Sequence, residues 1–249
     1  MSSSRPKALI SWSSGKDSAF ALHEIRRAGE FDVVGALTTV TETFERVSIH
    51  GVRQEILRAQ CEAAGLPQRI VPIPYPCPNA TYEARMSAAV AQAVEDGITH
   101  MIFGDLFLAD IRAYREQKLA GSGITPVFPL WHRPTPELAQ TMIAGGLQAY
   151  LATVDLMKLP AEFAGRTFDS RLLDDLPAGI DPCGENGEFH TCVVAGPMFS
   201  HRLAVTTAER VERDGYAYCD LVMEESRNYR RPGQAKREPG PITTDVRGA

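Results

Sequence analysis

The sequence predicts an α/β protein with a mainly parallel sheet, followed by a smaller C-terminal α+β region. Three observations lead to this prediction. Short apolar runs alternate with amphipathic segments of helical periodicity over the first half of the 249 residues, which is typical of βαβ units. Prolines then crowd the stretch from Pro126 to Pro136 and mark a boundary. Beyond it, strand-like runs are joined by turn sequences such as Asp214-Gly215, a hairpin signal.

The first half alternates strand and helix in order. A helical pattern follows the first strand and ends at Gly29, a second begins near Gly51 and ends at Gly65, and a third, for which Asn79 is the expected N-cap, ends at Gly97. The four strands, rich in β-branched residues or bounded by prolines, are KALISWS (7–13), FDVVGALTTV (31–40), RIVPIP (69–74) and THMIFGD (99–105). The later strands are QAYLATVDL (148–156), FHTCVVA (189–195), RLAVTT (202–207) and YAYCDLVM (216–223).

We predict three parts of the chain: residues 1–129, 130–225 and a basic tail, 226–249. The tail has six Lys or Arg residues and two Asp or Glu residues, is rich in Pro and Gly, and is predicted to be disordered. The rest of the chain therefore carries a net charge of −9. A body that acidic is a poor surface for nucleic acid, so nucleic acid is not an expected partner.

The composition also indicates the cellular compartment and argues against some kinds of cysteine-based site. There is no signal-peptide core and no apolar run of membrane-span length, so a cytoplasmic protein without a membrane partner is expected. The five cysteines are odd in number and none forms a C-x-x-C pair, which argues against a disulfide scaffold, a zinc ribbon or an iron–sulfur site. A homodimer is left open.

The stretch ISWSSGKDSAF, residues 10–20, carries the strongest functional signal. It places a Ser-Ser-Gly turn between a strand and a helix, where backbone N–H groups and the helix dipole favour an anion. Lys16 can neutralise phosphate charge, Gly15 allows close approach, and Ser13 and Ser18 can donate hydroxyls. A Walker loop would have Ser or Thr where Asp17 stands, so this is a different phosphate loop. The alternative is an ordinary turn with helix capping.

The segment GENGEFHT, residues 184–191, is the second signal. Asn186-Gly187 predicts a two-residue hairpin that would set Glu185 opposite Glu188. Like charges in that position destabilise a hairpin, so we interpret the pair as a grip on something positive: Mg²⁺, ammonium or a cationic substrate group. The alternative is two solvated carboxylates on an exposed turn.

Further candidates follow the ends of other strands. Gly104 lets backbone approach a ligand, and Asp105 could hold Mg²⁺ or ribose, or simply cap a turn. Arg112 lies one helical turn before Arg115 and could steady phosphates, with a solvated helix face as the equal alternative.

Three side chains are weaker candidates. Thr38 and its neighbour Thr39 end the second strand, at the carboxyl edge of the sheet. His50 enters the second helix and could meet phosphates, with an incidental loop histidine as the favoured alternative. Cys183 could be a nucleophile, although a structural thiol is favoured.

SSGKDS, residues 13–18, resembles the SGGxDS loop of the PP-loop (N-type) ATP pyrophosphatases. The lysine after the glycine and DPCGENGEFHT, residues 181–191, together resemble the diphthine–ammonia ligases, of the adenine-nucleotide α-hydrolase superfamily. FGDLFLADIRAYRE and PVFPLW resemble further segments of that family, and FGDLFLADIR and GENGEFHT are closer to its bacterial members of unassigned role. The likeness runs from about Lys7 to Phe199. Ser14 stands where the family usually has a second glycine, a departure that matters if the position needs a positive φ.

The resemblance implies a Rossmann-like (HUP-type) fold with helices on both faces and an ATP-binding domain in residues 1–129. It implies ATP and Mg²⁺ as cofactors, with Asp17 and Asp105 as metal ligands, and cleavage of ATP to AMP and pyrophosphate. The expected catalytic residues are Lys16, Asp17, Glu185 and Glu188. Ser13, Ser14, Gly15, Lys16, Ser18, Thr38, His50, Gly104, Asp105 and Arg112 are the expected nucleotide contacts.

The function that follows is an ATP-dependent carbon–nitrogen ligase, with residues 130–225 contacting a small-molecule or protein-borne carboxylate and ammonia or an amine. A tRNA-modifying PP-loop enzyme is one rival, disfavoured by the acidic body. An ATP-binding sensor without turnover is the other, and Ser14 in place of glycine keeps it open.

Overall fold

The strands of the first sheet are mainly parallel. The computed structural model describes residues 5–43, 46–47 and 51–224. Its parallel strands run in the spatial order β4-β2-β1-β5-β6, while the two-residue β3 pairs antiparallel with the end of β2. The strands are β1 Lys7–Ser11, β2 Asp32–Thr41, β3 Arg46–Val47, β4 Gln68–Ile73, β5 His100–Ile102 and β6 Thr125–Val127. The chain order of these parallel strands reverses between β1 and β5, which is the Rossmann-like doubly wound topology.

Helices cover both faces of this sheet because the central strands are apolar on both sides. In β1, Ala8 and Ile10 belong to the core that contains α1 and α2, whereas Leu9 belongs to the core that contains residues of α3 and α4. The helices are α1 Lys16–Ala28, α2 Gln54–Ala64, α3 Asn79–Glu95 and α4 Ala109–Leu119. Helices α1 and α2 end at Gly29 and Gly65, both in the left-handed conformation, as the sequence predicts.

The second sheet is antiparallel, with the order β8-β7-β10-β9. Asp214 and Gly215, with φ values of 52° and 81°, form the predicted two-residue turn between its last strands. The remaining elements are α5 Thr135–Ala144, β7 Gln148–Asp155, a 3₁₀ turn at Ala161–Phe163, α6 Ser170–Asp175, β8 Phe189–Ala195, β9 Val205–Arg213 and β10 Tyr216–Met223. The fold is therefore α/β with a smaller α+β region, as the sequence predicts.

The two sheets share one core. Residues from both sheets, such as Ile10 and Cys192, belong to the same buried cluster. Asp220 on β10 also accepts from Arg53 at the start of α2 at 2.6 Å and from Arg46 at 3.0 Å. The division at residues 129 and 130 stays a prediction. The basic tail, residues 226–249, and His50 lie outside the described residues.

Two local predictions are wrong. Asn79 is the first residue of α3 rather than its cap, and the capping position is Pro78, whose side chain makes no capping hydrogen bond. The second strand continues to Thr41, so Thr38 lies within it, because β4 pairs with it through Ile73. No helix in the described part of the chain is long and apolar enough to span a membrane.

Candidate functional site

The candidate site lies where the strand order reverses. The loop after β1 and the loop after β5 leave the same carboxyl edge of the sheet from neighbouring strands, with Ile10 of β1 opposite Ile102 of β5. A crevice between such loops is the ordinary ligand position in open parallel sheets. The candidate phosphate loop, Ser13–Ser18, and Gly104 are thus neighbours in space, as their positions after parallel strands predict.

Gly104 brings the two loops into backbone contact. A Cβ at this position would lie 2.7 Å from both the carbonyl carbon of Asp17 and the amide nitrogen of Ser18. No side chain fits at that distance, so glycine is required by close approach rather than by its backbone angles. The contact fixes the start of α1 against the loop that carries Asp105.

The hydroxyls of the phosphate loop hold the loop itself. The Gly15 amide donates to Ser13 Oγ at 3.3 Å, and that oxygen lies 3.2 Å from Ser18 Oγ. Ser18 Oγ in turn donates to the Gly15 carbonyl at 3.1 Å. These bonds preform a turn at the N-terminus of α1, where the helix dipole favours an anion.

Ser14 occupies the strained position of the loop. Its φ is 70°, so the position does require the conformation that glycine adopts freely. A serine there costs roughly 1–2 kcal/mol. Its side chain is fully buried, and Ser14 Oγ has no hydrogen-bond partner in the part of the chain that the structure describes. A buried hydroxyl without a partner is what a phosphate oxygen would satisfy.

Lys16 points into the protein rather than into open solvent. Its side chain is 2% exposed, and Nζ donates to Asp17 Oδ2 at 2.8 Å and to the Cys183 carbonyl. The rings of Phe168 and Phe189 each lie 5.6 Å from Nζ. Burial lowers the pKa of Lys16, but the charge of Asp17 and other acidic groups outweigh it, so the pKa is raised and the cation persists.

Strand β8 of the second sheet supports the same loop. The Lys16 amide donates to Thr191 Oγ1 at 3.0 Å, and the Val193 amide donates to the Ser14 carbonyl at 3.0 Å. Gln60 on α2 joins them, because its Nε2 donates to the Ser14 and Val193 carbonyls at 3.1 and 2.7 Å. Sequence reasoning missed these residues; the available signal was a polar side chain within an apolar strand or helix face.

Glu185 reaches the loop after β5. Its Oε1 accepts from the Leu106 amide at 2.8 Å, and its own amide donates to Asp181 Oδ2 at 2.8 Å. Burial raises the pKa of Glu185 to about 8, and the charges of Asp17 and Asp105 add to the rise. Residues 184–191 therefore contact both loops that border the crevice, through Glu185 and Thr191, although they lie far away in sequence.

The predicted Asn-Gly hairpin is wrong. Turns closed by Gly184 N–H to the Asp181 carbonyl, 2.8 Å, and Gly187 N–H to the Gly184 carbonyl, 3.1 Å, occupy residues 181–187. Strand β8 begins only at Phe189, so the two glutamates are not a cross-strand pair. Like-charge repulsion across a hairpin therefore gives no reason to assign Glu185 and Glu188 a joint role.

Glu188 is also not a solvated carboxylate. It is 2% exposed, and its Oε1 accepts from the Asp181 amide at 3.2 Å and from Asn186 Nδ2 at 3.1 Å. Its Oε2 is buried with no hydrogen-bond partner among the described residues. A buried carboxylate oxygen in this state is costly unless a donor or cation reaches it.

The predicted arginine and aspartate contacts have partners inside the chain. Asp105 Oδ2 lies 2.8 Å from Arg115 Nε. Arg112 donates to Glu116 at 2.7 Å, and its guanidinium lies 4.8 Å from the centre of the Phe128 ring. Binding of phosphate by Arg112 would compete with these contacts, and it stays a prediction.

A metal site is not formed by the described residues alone, which contain no group of three His, Cys, Asp or Glu side chains placed to hold an ion. Both predicted ligands, Asp17 and Asp105, already bind a side-chain cation. Mg²⁺ is commonly held by one or two carboxylates together with substrate phosphates. The present contacts of Asp17 and Asp105 do not fit a resident metal.

Thr38 lies beside the end of β1, because the Trp12 amide donates to the carbonyl of its neighbour Leu37 at 2.8 Å. Its Oγ1 is buried and, within the described ranges, has no hydrogen-bond partner. An adenine contact there stays a prediction.

Cys183 and His190 are held in their neutral forms. Burial raises the pKa of the Cys183 thiol strongly, and Sγ lies 3.4 Å from the Thr135 carbonyl, so it is no reactive thiolate. Burial, helped by the charge of Lys16, lowers the pKa of His190 to about 4. A structural interpretation of Cys183 therefore holds.

The C-terminal part of the chain matches a known domain family. Residues 135–225 match the family described as the diphthamide synthase C-terminal domain. The diphthine–ammonia ligase of Schizosaccharomyces pombe is 30% identical over 106 residues, which are 41% of this chain and 18% of that protein. The enzymes of Rattus norvegicus and Homo sapiens are each 30% identical over 104 residues, 40% of this chain and 39% of theirs. The match thus spans less than half the length of each of these curated relatives.

One solved structure is a distant neighbour. The U34-tRNA thiolase NcsA from Methanococcus maripaludis with its [4Fe-4S] cluster is 16% identical, with 55% of this chain and 56% of that chain covered at a TM-score of 0.36. The sequence matches nevertheless agree with the resemblance that the motifs indicated: residues 135–225 match the diphthamide synthase C-terminal domain, and about 40% of the chain is similar to diphthine–ammonia ligases.

Proposed function

We propose that the protein is an ATP-dependent carbon–nitrogen ligase that adenylates a carboxylate, releases pyrophosphate and forms an amide with ammonia. The observation that carries the proposal is the meeting of two segments at one crevice. The phosphate loop, Ser13–Ser18, and the turn that bears Glu185 contact each other through the Lys16 ammonium and the Cys183 carbonyl. An ATP site and an acceptor site would then share a wall.

ATP would bind with its phosphates over the start of α1. The support is the preformed turn of Ser13, Gly15 and Ser18 and the buried hydroxyl of Ser14, which has no partner among the described residues. Positioned amides and hydroxyls stabilise charge that develops on a leaving pyrophosphate without reorganisation during the reaction. Thr38, within the neighbouring strand β2, is the proposed adenine-side contact.

The chemistry would proceed in two steps. A carboxylate oxygen of the acceptor attacks the α-phosphorus, the bond from that phosphorus to the oxygen bridging to the β-phosphate breaks, and pyrophosphate leaves. The lone pair of ammonia then attacks the acyl carbon of the adenylate. The acyl–oxygen bond breaks, AMP leaves, and the nitrogen gives up one proton to yield the neutral amide. The protein's contribution is positioning and charge stabilisation.

Glu185 and Glu188 are the proposed acceptor-side residues. Glu185 Oε1 accepts from the Leu106 amide at the crevice, and one buried oxygen of Glu188 has no partner within the described ranges. The Glu188 carboxylate, and that of Glu185 once it has lost its proton, would favour ammonium or another cationic group arriving beside the acyl-adenylate. The acceptor is a carboxylate on a small molecule or on a protein, as the curated relatives' name, diphthine–ammonia ligase, suggests for its class.

The test is product analysis of the full chain with ATP labelled in the α-phosphate, ammonium chloride, Mg²⁺ and fractionated cell extract as the acceptor source. Chromatography should show AMP and pyrophosphate in the acceptor-containing fraction. Once that fraction yields an acceptor, labelling its carboxylate with ¹⁸O should place one ¹⁸O atom in AMP. Formation of ADP and phosphate as the sole products would contradict the proposal. Lys16→Met protein prepared in the same way controls for a contaminating ATPase.

A sensor that binds ATP without turnover remains the second candidate. It is favoured by Lys16, whose ammonium already has protein partners. Tight ATP binding with neither pyrophosphate nor phosphate release in any extract fraction would favour the sensor over the ligase.

A further inference from the structure

The side chain of Gln60 is unusual because it is a fully buried amide in the middle of α2. Its neighbours Leu57 and Cys61 are part of the apolar core. A buried amide in apolar surroundings destabilises a fold unless its donors and acceptor are all used. In this structure they are used, and each partner belongs to a different element of the candidate site.

The hydrogen bonds of Gln60 fix the orientation of its amide without ambiguity. Trp12 Nε1, a donor only, lies 3.1 Å from Gln60 Oε1. The carbonyls of Ser14 and Val193, acceptors only, lie 3.1 and 2.7 Å from Nε2. Exchanging the amide oxygen and nitrogen would set donor against donor and acceptor against acceptor. Gln60 therefore ties the end of β1, the phosphate loop and β8 together.

The bond to Ser14 bears directly on the phosphate loop. Ser14 has a φ of 70°, and a strained residue keeps such a conformation only when its surroundings impose it. Its carbonyl receives two donors, Gln60 Nε2 and the Val193 amide. In a trans peptide the N–H points opposite to the C=O. Holding the Ser14 carbonyl toward Gln60 and Val193 therefore turns the Gly15 N–H the opposite way, toward the hydroxyl of Ser13.

We propose that Gln60 is a positioning residue that sets the orientation of the Ser14–Gly15 peptide and thereby the phosphate affinity of the loop. The inference rests on the proposed binding of ATP by this loop. It adds a residue of α2 that contacts neither the phosphates nor the acceptor. Its effect should be confined to ligands that carry phosphates at the loop, because the adenine end of the crevice does not depend on this peptide.

The test compares ATP with adenosine on two variants of the full chain. Gln60→Met keeps the length of the side chain but loses its polar atoms, and Gln60→Glu keeps the acceptor for Trp12 but loses both donors. Calorimetry well below each melting temperature should show ATP affinity reduced at least tenfold and adenosine affinity unchanged. Ile56→Val, at a fully buried apolar position of the same helix, is the matched control for a stability loss alone.

Fluorescence provides a reading that does not depend on nucleotide binding. The chain has two tryptophans, so a Trp131→Phe background isolates Trp12. Gln60→Met should shift its emission and Ile56→Val should not. Equal losses for ATP and adenosine, or an unchanged ATP affinity in folded variants, would overturn the positioning role. If the wild-type protein itself binds no ATP, the proposed function fails, and the Trp12 reading still decides whether Gln60 holds the end of β1. Should Gln60→Met not fold, Gln60→Glu carries the comparison.

Discussion

The ammonium of Lys16 lies 2.8 Å from the carboxylate of Asp17, the next residue in the chain, with 2% of the lysine side chain and 27% of the aspartate side chain exposed. Adjacent residues at the start of a helix point in different directions, so the pair requires the Lys16 side chain to bend back toward Asp17. Its ammonium also serves the Cys183 carbonyl. The loop Ser13–Ser18 and the turns of residues 181–187 are thus joined by one buried cation.

Replacement of Lys16 by Met should lower the free energy of unfolding by roughly 2–4 kcal/mol, because it leaves a carboxylate and a carbonyl without their donor. Asp17→Asn in the same chain should recover part of that loss. Urea unfolding of the single and double variants measures the coupling. Arg27→Met, which breaks an exposed pair with Glu24, is the control and should cost less than about 1 kcal/mol. Additive losses in the double variant would contradict the pair.

Gly104→Ala should perturb the phosphate loop, because its Cβ would meet the backbone of Asp17 and Ser18 at 2.7 Å. We expect a stability loss of roughly 1–3 kcal/mol from overpacking and a weaker affinity for ATP. The control is Gly121→Ala, since Gly121 has a φ of 73° but nothing within 4 Å of the new Cβ. That variant bears the conformational cost alone and should bind ATP normally. Calorimetry and thermal melting on both variants check the prediction, and equal ATP affinities would oppose it.

Glu185 should make stability depend on pH. Burial raises its pKa from an ordinary value of 4.5 to about 8 in the folded protein, so between these values the folded protein holds a proton that the unfolded chain has released. This contribution is complete below about pH 4.5 and is lost as the pH rises toward 8. Glu185→Gln should remove it and flatten the fall in melting temperature between pH 5 and 8 by at least roughly 3 °C. Glu95→Gln, at an exposed site, should leave the slope unchanged, and an unaltered slope in Glu185→Gln contradicts the shift.

Glu185→Gln and Glu188→Gln should each separate ATP binding from turnover. ATP affinity should stay within roughly twofold, while acceptor-dependent pyrophosphate release falls by about two orders of magnitude. Single variants are preferred because the two carboxylates occupy different environments. Glu162→Gln, in the 3₁₀ turn, is the control. A fall in ATP affinity as large as the fall in turnover would assign the carboxylate to the nucleotide site instead.

The sequence predicts the strands and the first helix well, because their signals are local. Apolar runs mark β1 and β8, and Gly29 ends α1 through its own backbone preference. Positive φ at the second position of the loop could be suspected from Ser14 standing in place of glycine. These features need no knowledge of distant residues.

The inner side of the site could not be predicted in this way. Lys16 is buried because a carbonyl 167 residues away and the rings of Phe168 and Phe189 surround it. The Asn-Gly signal failed because residues 181–187 form their own turns and no strand precedes them. Burial of Glu188 likewise depends on the Asp181 amide. Such contacts are fixed by the tertiary packing, which periodicity and turn propensity do not encode.

The bond from the Lys16 amide to Thr191 joins residues 175 positions apart, and Val193 adds a second bond to the same loop. The turn that would recognise phosphate is therefore held in place by a strand of the second sheet, β8. An exchange of either half between relatives would preserve function only if the loop and the strand that supports it were inherited together. Recombination between homologues should accordingly be tolerated at surface connections that leave this pairing intact, and should fail when a crossover brings the loop of one lineage against the strand of another.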